Sequence, residues 1–302
     1  MEKSTYLLRL SLSITVLTSF LLSWAQPISY KSQGCTLLYQ KIDDNNVEIT
    51  KQNTTLKEKT VYIPAEISYN DTIYYVTKIA ENAFSGNIYI KEIIFDPICN
   101  IQEIEEGAFA GCTSLTEIKL PTTITEIKPY TFAYSGLKSI EIHEQITRIG
   151  ERAFTNCQEL KTIIMGENVE VIDNYAFALC PKLISFTIPE KTQHLGYEIL
   201  QSSNNLDTIY YNAINCKTSG AYYDNRIERT IGAFEHNNNF SEIIFGEQVE
   251  HLPEYLLYNC HSIDSIYFPK TIKTIDRFAL HNTEWYNSIK TDMLYVNNIL
   301  YA

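Results

Sequence analysis

Apolar residues recur along most of the chain with a period close to 23 residues. The aliphatic residues that begin successive copies are separated by steps of 22 to 25 residues, and they are Ile79, Ile104, Ile127, Ile149, Ile172 and Leu195. After an interruption the pattern resumes, and Leu252 and Ile275 are again 23 residues apart. A fixed period of this length is typical of repeat architectures. About nine copies therefore occupy residues 79–291.

Each copy predicts one strand and one turn. Ile118 and Leu120 have the alternation of a β-strand, and Pro121 ends it because proline has no N–H to donate to a neighbouring strand. The other half of the copy carries an Ala-Phe pair, Ala108-Phe109, on a turn or short helix that is too brief to be stable alone. Such a unit buries its apolar face only by stacking on its neighbours. We therefore predict a repeat solenoid with one short parallel strand plus a turn or short helix per coil.

The segments outside the regular repeats have different patterns. Before the first repeat, four runs predict strands, at residues 36–39, 47–51, 60–63 and 73–76. We expect residues 26–78 to form a β cap that shields the first coil from water. Residues 292–302 predict a C-terminal hairpin around Asn297-Asn298. The stretch near residues 212–226 is an insertion within the repeats to which the pattern assigns no structure.

The first 25 residues have the pattern of an export signal. Lys3 and Arg9 lie near its start, and an uncharged run follows over residues 10–25. The run ends with small side chains at Ser23 and Ala25, the two positions that a signal peptidase recognises. The run is shorter than the roughly 20 residues that a membrane span needs. We therefore expect cleavage before Gln26 rather than a retained anchor. The mature chain would have no transmembrane segment and would be secreted or held at the cell surface, with the periplasm as the other destination.

The repeat resembles a leucine-rich repeat. Its strand has the spacing Leu-x-x-Ile-x-Leu, and a cysteine lies three residues before the first leucine, as at Cys112 and Leu115. The Ala-Phe pair and the proline after the strand make the copies similar to the bacterial BspA-like branch. The resemblance covers about two thirds of the chain, from Ile79 to Trp285. It implies an exported, non-enzymatic protein that mediates protein–protein interaction or adhesion at the bacterial surface.

The resemblance also implies the kind of partner. Members of the BspA-like branch attach to surfaces, so the expected partner is a host extracellular-matrix protein or another cell-surface protein. An envelope scaffold or accessory subunit without a host partner is the alternative that the sequence leaves open. Because function depends on the site rather than on the fold, the repeat pattern alone does not choose between the two.

Composition and motifs narrow the classes of function. Lys and Arg total 24 against 36 Asp and Glu, a formal charge of -12, and no basic cluster is present, so we expect no nucleic-acid partner. The 11 glycines form no nucleotide-binding loop, and the six histidines lack the spacing of metal ligands. No nucleophile motif occurs either. We therefore expect no catalytic residue, no metal and no cofactor, and a protein that is not an enzyme.

The seven cysteines raise the question of disulfides, because the chain carries an export signal. Four of them share one position of the repeat, three residues after the Phe or Leu of the turn: Cys112, Cys157, Cys180 and Cys260. Other copies have Asn, Ser or Thr there, which indicates a small inward position where a thiol is buried. A bridge between Cys157 and Cys180 in adjacent coils stays open on distance alone. Cys35, Cys99 and Cys216 lie elsewhere, and their state is also open.

The outward positions of the strands define a candidate surface. The residue just before the last core position of each strand faces outward, and we predict as the ligand-binding face Ile94, Lys119, Glu141, Ile164, Tyr210, Ile244 and Tyr267. Two positions earlier, a second row carries Glu92, Glu117, Ser139, Thr162, Ser185, Thr208, Glu242 and Ser265. Ile and Tyr at water-facing positions are typical of interaction sites. The high strand propensity of these residue types is the alternative explanation.

Overall fold

The computed structural model describes residues 26–52, 56–220, 222–224, 229–237, 239–289, 294–296 and 299–301. The predicted signal peptide, residues 1–25, lies outside them. In chain order the elements are β1 (Ile28–Ser32), β2 (Cys35–Lys41), β3 (Asn46–Ile49), β4 (Thr60–Ile63), β5 (Glu66–Tyr69), β6 (Thr72–Ile79), β7 (Glu92–Phe95), β8 (Glu103–Ile104), β9 (Glu117–Ile118), β10 (Glu126–Ile127), β11 (Ser139–Glu141), β12 (Arg148–Ile149), β13 (Thr162–Ile164), β14 (Val171–Ile172), β15 (Ser185–Ile188), β16 (His194–Leu195), β17 (Thr208–Tyr211), β18 (Thr218–Ser219), β19 (Tyr222–Asp224), β20 (Arg229–Ile231), β21 (Glu242–Phe245), β22 (His251–Leu252), β23 (Ser265–Tyr267), β24 (Thr274–Ile275), α1 (Glu284–Ser288), β25 (Leu294–Val296) and β26 (Ile299–Tyr301).

The chain is a solenoid, and the front sheet is the first of its three sides. We use this name for the parallel strands that hydrogen bond in three groups: β4-β7-β9, β11-β13 and β15-β17-β21-β23. Each strand comes from one coil, so its inward side chains, such as Ile118 and Ile140, are buried while the alternate ones face out. These are the strands that the alternation predicts, and the repeat solenoid is confirmed.

The side sheet is a second set of parallel strands, which the apolar pattern does not predict. The aliphatic residues that begin the copies lie in two-residue strands, and Ile127, Ile149, Ile172 and Leu195 are consecutive partners in register. The strands β10, β12, β14, β16 and β18 form one group, and β22 pairs with β24. Each such coil therefore contributes two strands rather than one. A strand of two residues is too short to show an alternating pattern.

The third side of each coil is the turn with the Ala-Phe pair, and it carries an aromatic core. Five phenylalanine rings stack in successive coils, with centroids 5.0 to 5.5 Å apart: Phe84, Phe109, Phe132, Phe154 and Phe177. All five are buried in one continuous hydrophobic core. Stacked coils that share a core are what a unit with one apolar face requires.

Residues with a left-handed backbone conformation (positive φ) shape these turns. In one coil the residue before the alanine, Arg152, has φ of 54°, and Asn156, two residues after the phenylalanine, has φ of 60°. The Phe154 N–H donates to the carbonyl oxygen of Ala176 in the next coil at 2.8 Å. The Asn156 N–H likewise donates to the carbonyl oxygen of Ala178 at 2.8 Å. The left-handed conformations thus let the turns hydrogen bond from coil to coil. The structure has turns here and not short helices.

The N-terminal part forms a mixed sheet that is continuous with the strands of the solenoid. Strands β1, β2 and β3 are antiparallel neighbours, and β3 is parallel to β6, which in turn pairs with β8 of the repeats. Strand β4, however, pairs with β7 in the front sheet. The solenoid therefore begins before residue 79, because Val61 and Ile63 have the same buried positions as the core residues of the later front strands.

The insertion lies later than the predicted 212–226. Strand β18 is parallel to β16, so the chain continues the side sheet as far as Ser219. The extra residues instead include the antiparallel hairpin of β19 and β20, after which the turn resumes at Ala233-Phe234. The sequence misplaces the boundary because Ser219 takes the position that Leu195 occupies in the preceding coil. Without an aliphatic residue, the side strand is invisible in the apolar pattern.

The C-terminal end carries a helix and a hairpin. The Trp285 N–H of α1 donates to the carbonyl oxygen of Ile263 at 2.8 Å, and its ring lies 5.4 Å from that of Phe268. The helix therefore packs on the last front strand. Strands β25 and β26 are antiparallel, and the two residues between them lie outside the described part of the chain.

Candidate interaction surface

The predicted face lies on the outer side of the front sheet. Its large apolar side chains are well exposed, with Tyr267 at 66%, Ile164 at 61% and Tyr210 at 41%. A buried core residue precedes each tyrosine in its strand. Exposed Ile and Tyr on this side are therefore not required by the core. The remaining members Ile94, Lys119 and Glu141 are exposed, and Ile244 is half-buried.

The structure brings three of the predicted residues together. Tyr210 pairs in register with Ile244, and Ile244 pairs with Tyr267. Thr187 precedes them as the partner of Tyr210. With neighbouring strands about 4.8 Å apart, the three apolar residues lie within about 10 Å along the sheet. We call Tyr210, Ile244 and Tyr267 the apolar strip.

The other predicted residues lie in separate groups. Glu141 pairs with Ile164 in the two-stranded group of β11 and β13. Ile94 belongs to the first group of strands, and Lys119 follows the last residue of β9. The seven residues thus share one side of the solenoid without forming one continuous patch.

Sequence reasoning missed Tyr62, which extends the row at its N-terminal end. Tyr62 pairs in register with Ile94, and its hydroxyl donates a short hydrogen bond to Asp96. This bond raises the pKa of Tyr62 to about 12, and together with the Ile98 N–H it holds the pKa of Asp96 below its usual value. The alternation of residues 60–63 was the signal that could have placed Tyr62 in the row.

The shared cysteine position has a structural role. The thiols of Cys112, Cys157 and Cys180 each donate to the carbonyl oxygen of a phenylalanine in the preceding coil at 3.2 Å. In the next coil the Ser203 hydroxyl makes the same bond at 3.1 Å. Burial raises the pKa of the Cys157 thiol to about 11. These groups are donors within the core rather than nucleophiles.

All seven cysteines are free, so the predicted buried thiols are confirmed and Cys157 and Cys180 are not bridged. Among the described residues no group of three or more His, Cys, Asp or Glu side chains is arranged to hold a metal ion.

One buried charged cluster lies on the turn side. The carboxylates of Glu198 and Glu235 are almost fully buried, and His236 contacts Glu198 through Nδ1. The Gly232 N–H donates to Glu235 Oε2 at 2.9 Å, and the Gln201 amide donates to Glu198 Oε1 at 3.0 Å. Both carboxylates thus have hydrogen-bond donors within the fold. The cluster joins neighbouring coils.

Three-sided coils with a parallel front sheet and a shared core define a leucine-rich repeat protein. The BspA-type leucine-rich repeat model matches residues 77–207 and 207–297, with six copies. The chain belongs to this family, and the predicted resemblance is confirmed. It is a protein-interaction repeat protein of a family whose members are generally non-enzymatic binding scaffolds.

Solved structures share the fold at low sequence identity. The pneumococcal vaccine antigen PcpA is 19% identical with a TM-score of 0.54, and the match covers 86% of this chain and 75% of that one. A leucine-rich cell surface protein from Faecalibacterium prausnitzii is 19% identical with a TM-score of 0.52, and the match covers 85% and 86% of the two chains. No curated protein matches the sequence. Within the described ranges, no helix is long and apolar enough to cross a membrane.

Proposed function

We propose that the chain is an exported, non-enzymatic adhesion protein of the bacterial surface, which contacts its protein partner through the front sheet. The apolar strip is the observation that carries this proposal. Tyr210 and Tyr267 flank Ile244 in register and leave their rings exposed to solvent. Tyrosine is enriched among the residues that dominate binding energy, since it offers a large amphipathic area with few rotatable bonds.

Export and a surface location are supported by two further observations. The pattern of residues 1–25 is that of a cleaved signal peptide. One protein of the same fold is described as a cell surface protein, and another as a vaccine antigen. The partner we propose is a host extracellular-matrix protein or another cell-surface protein. Fractionation of the native protein tests the location, and recovery in the cytoplasm with an uncleaved N-terminus would contradict export.

The binding experiment uses the chain from residue 26 onward and immobilised collagen, fibronectin and laminin. Surface plasmon resonance should show saturable binding to at least one of them. In a variant with Tyr210→Ser and Tyr267→Ser we expect the affinity to fall at least tenfold, because loss of a central tyrosine costs about 2 kcal/mol and each 1.4 kcal/mol is a factor of about ten. A small hydroxyl side chain is compatible with these positions, since Thr187 is the register partner of Tyr210.

Matched changes on another side of the solenoid serve as the control. Tyr134 and Leu179 are 54% and 41% exposed at the turn side, and Tyr134→Ser with Leu179→Ser removes similar apolar area. This control should bind like the unchanged chain. Equal binding by both variants, with unchanged circular dichroism, would refute the front sheet as the contact surface.

A further inference from the structure

A groove of about 550 Å³ opens on the front sheet at its N-terminal end. Its volume falls within the range of roughly 300 to 1,000 Å³ that is typical of ligand sites. The groove lies between β7 and β9 and continues into the segments that follow them. Its lining is more apolar than polar, and the apolar members include Ile94, Phe95, Pro97 and Leu120.

The groove exists because the two strands part early. Pairing of β7 with β9 ends at Ile93 and Ile118, whereas β15 and β17 pair over four residues. In the preceding coil the Asp96 N–H donates to the carbonyl oxygen of Ile63 at 2.9 Å. The residue in the equivalent place of the next coil is Pro121, which has no N–H to donate to Phe95. This hydrogen bond is therefore missing at the groove, and β7 and β9 pair only as far as Ile93 and Ile118.

The rim of the groove carries an unbalanced charge. Glu92 and Glu117 are direct partners in register, and like charges in that arrangement destabilise a sheet. Asp96 and Lys119 also line the groove, so three carboxylates face one ammonium group. Among the described residues, neither glutamate has a cation within ion-pair distance. The Glu92 carboxylate accepts a hydrogen bond from the Thr60 hydroxyl at 3.4 Å.

At two other places on the solenoid, a lysine of one coil pairs with a carboxylate of the neighbouring coil. Lys78 lies 3.0 Å from Glu103 and 2.7 Å from Glu105. Lys182 lies 2.6 Å from Glu159 in the coil before it. Glu92 and Glu117 instead face each other in register with like charge. A locally unfavourable arrangement of this kind is expected at functional sites.

We propose that the groove binds an extended segment of the partner protein in which a Lys or Arg side chain lies beside an apolar one. The cation lies between the carboxylates of Glu92 and Glu117, and the apolar side chain packs on Ile94 and Phe95. The groove is thus a second contact of the front sheet, about six strands away from the apolar strip. This inference rests on the proposed function, because it assigns the partner chemistry at one end of the same sheet.

The test is fluorescence anisotropy with two labelled peptides and the chain from residue 26 onward. One peptide has the sequence Leu-Lys-Leu-Arg-Leu, and the other replaces both basic residues by Glu. We expect the basic peptide to bind saturably at low salt and the acidic one not to bind. The variant with Glu92→Gln and Glu117→Gln should bind the basic peptide about tenfold more weakly, since both carboxylates that face the peptide cation are lost.

Two controls make the result specific. The variant with Glu167→Gln and Glu247→Gln removes two exposed carboxylates outside the groove, and it should bind as the unchanged chain does. The Glu92→Gln and Glu117→Gln variant should melt at the same temperature as the unchanged chain or higher, because a repulsion is relieved. Weaker binding in that variant therefore does not reflect unfolding.

Three results would overturn the inference: no binding of the basic peptide, equal binding of the acidic one, or unchanged affinity after Glu92→Gln and Glu117→Gln. Spermidine that competes as well as the basic peptide would identify a polyamine site and would overturn it too. The variant with Tyr210→Ser and Tyr267→Ser separates this inference from the proposed function. This variant should still bind the basic peptide, whereas its affinity for the intact partner protein should fall.

Discussion

Replacement of Phe154 by alanine tests whether the stacked coils share one core. The Phe154 ring is fully buried between Phe132 at 5.4 Å and Phe177 at 5.0 Å. A buried Phe→Ala change costs about 3 to 5 kcal/mol, and each aromatic pair contributes about 0.5 to 1.5 kcal/mol beyond its buried area. We therefore expect a loss near the upper end, about 4 to 5 kcal/mol. Because total stabilities are about 5 to 15 kcal/mol, this is a large share.

Urea denaturation followed by circular dichroism measures the loss. Two variants calibrate it: Phe154→Leu and Tyr134→Ala. Later coils have Leu200, Leu257 and Leu280 at the equivalent position, so we expect Phe154→Leu to cost about 1.5 kcal/mol or less. Tyr134→Ala removes an exposed ring and should cost no more than about 0.5 kcal/mol. If Phe154→Ala were as mild as Tyr134→Ala, the rings would not form a shared core.

Three further predictions concern packing, thiols and charge. Gly136→Ala should lower stability by about 1 to 3 kcal/mol in thermal unfolding, because its Cβ would lie 2.1 Å from a carbonyl oxygen of the neighbouring coil. Iodoacetamide should label the half-buried Cys99 before the buried Cys157, as mass spectrometry of the native chain can show; equal labelling would contradict the packing. Lys78→Met should cost about 1 kcal/mol or less at pH 7, since both partners are partly exposed. Lys78 lowers the pKa of Glu103. The cost of Lys78→Met should therefore shrink as the pH falls through the folded pKa of Glu103, which urea denaturation curves at a series of acidic pH values can measure. A cost that stays constant with pH would refute the ion pair.

The sequence predicts the solenoid well because its core positions are chemically distinctive. The Ala-Phe pair and the small position after it recur together, so the placement of Phe109, Phe154 and Phe177 in one core follows from the period alone. The buried thiols follow in the same way, since Ser and Cys exchange at one position and make the same hydrogen bond. Periodicity reports what every coil has in common.

Features that belong to single coils were harder to predict. The side strands are only two residues long, and Ser219 hides one of them, which moved the predicted insertion. The sequence pattern places Tyr62 in the cap, because its strand lies before the first complete repeat. The short pairing of β7 with β9 at the groove is visible only when the strands are placed side by side. The register of the strands likewise decides which outward residues lie next to one another.

Photo-crosslinking tests most directly whether the front sheet is the surface that binds. A benzoylphenylalanine replaces Tyr210 or Tyr267 of the apolar strip in two proteins, and Tyr134 of the turn side in a third. Each protein is irradiated on the matrix protein or cell surface to which the unchanged chain binds. We predict crosslinks from positions 210 and 267 and none from position 134. Crosslinks from position 134 alone would show that the partner contacts another side of the solenoid.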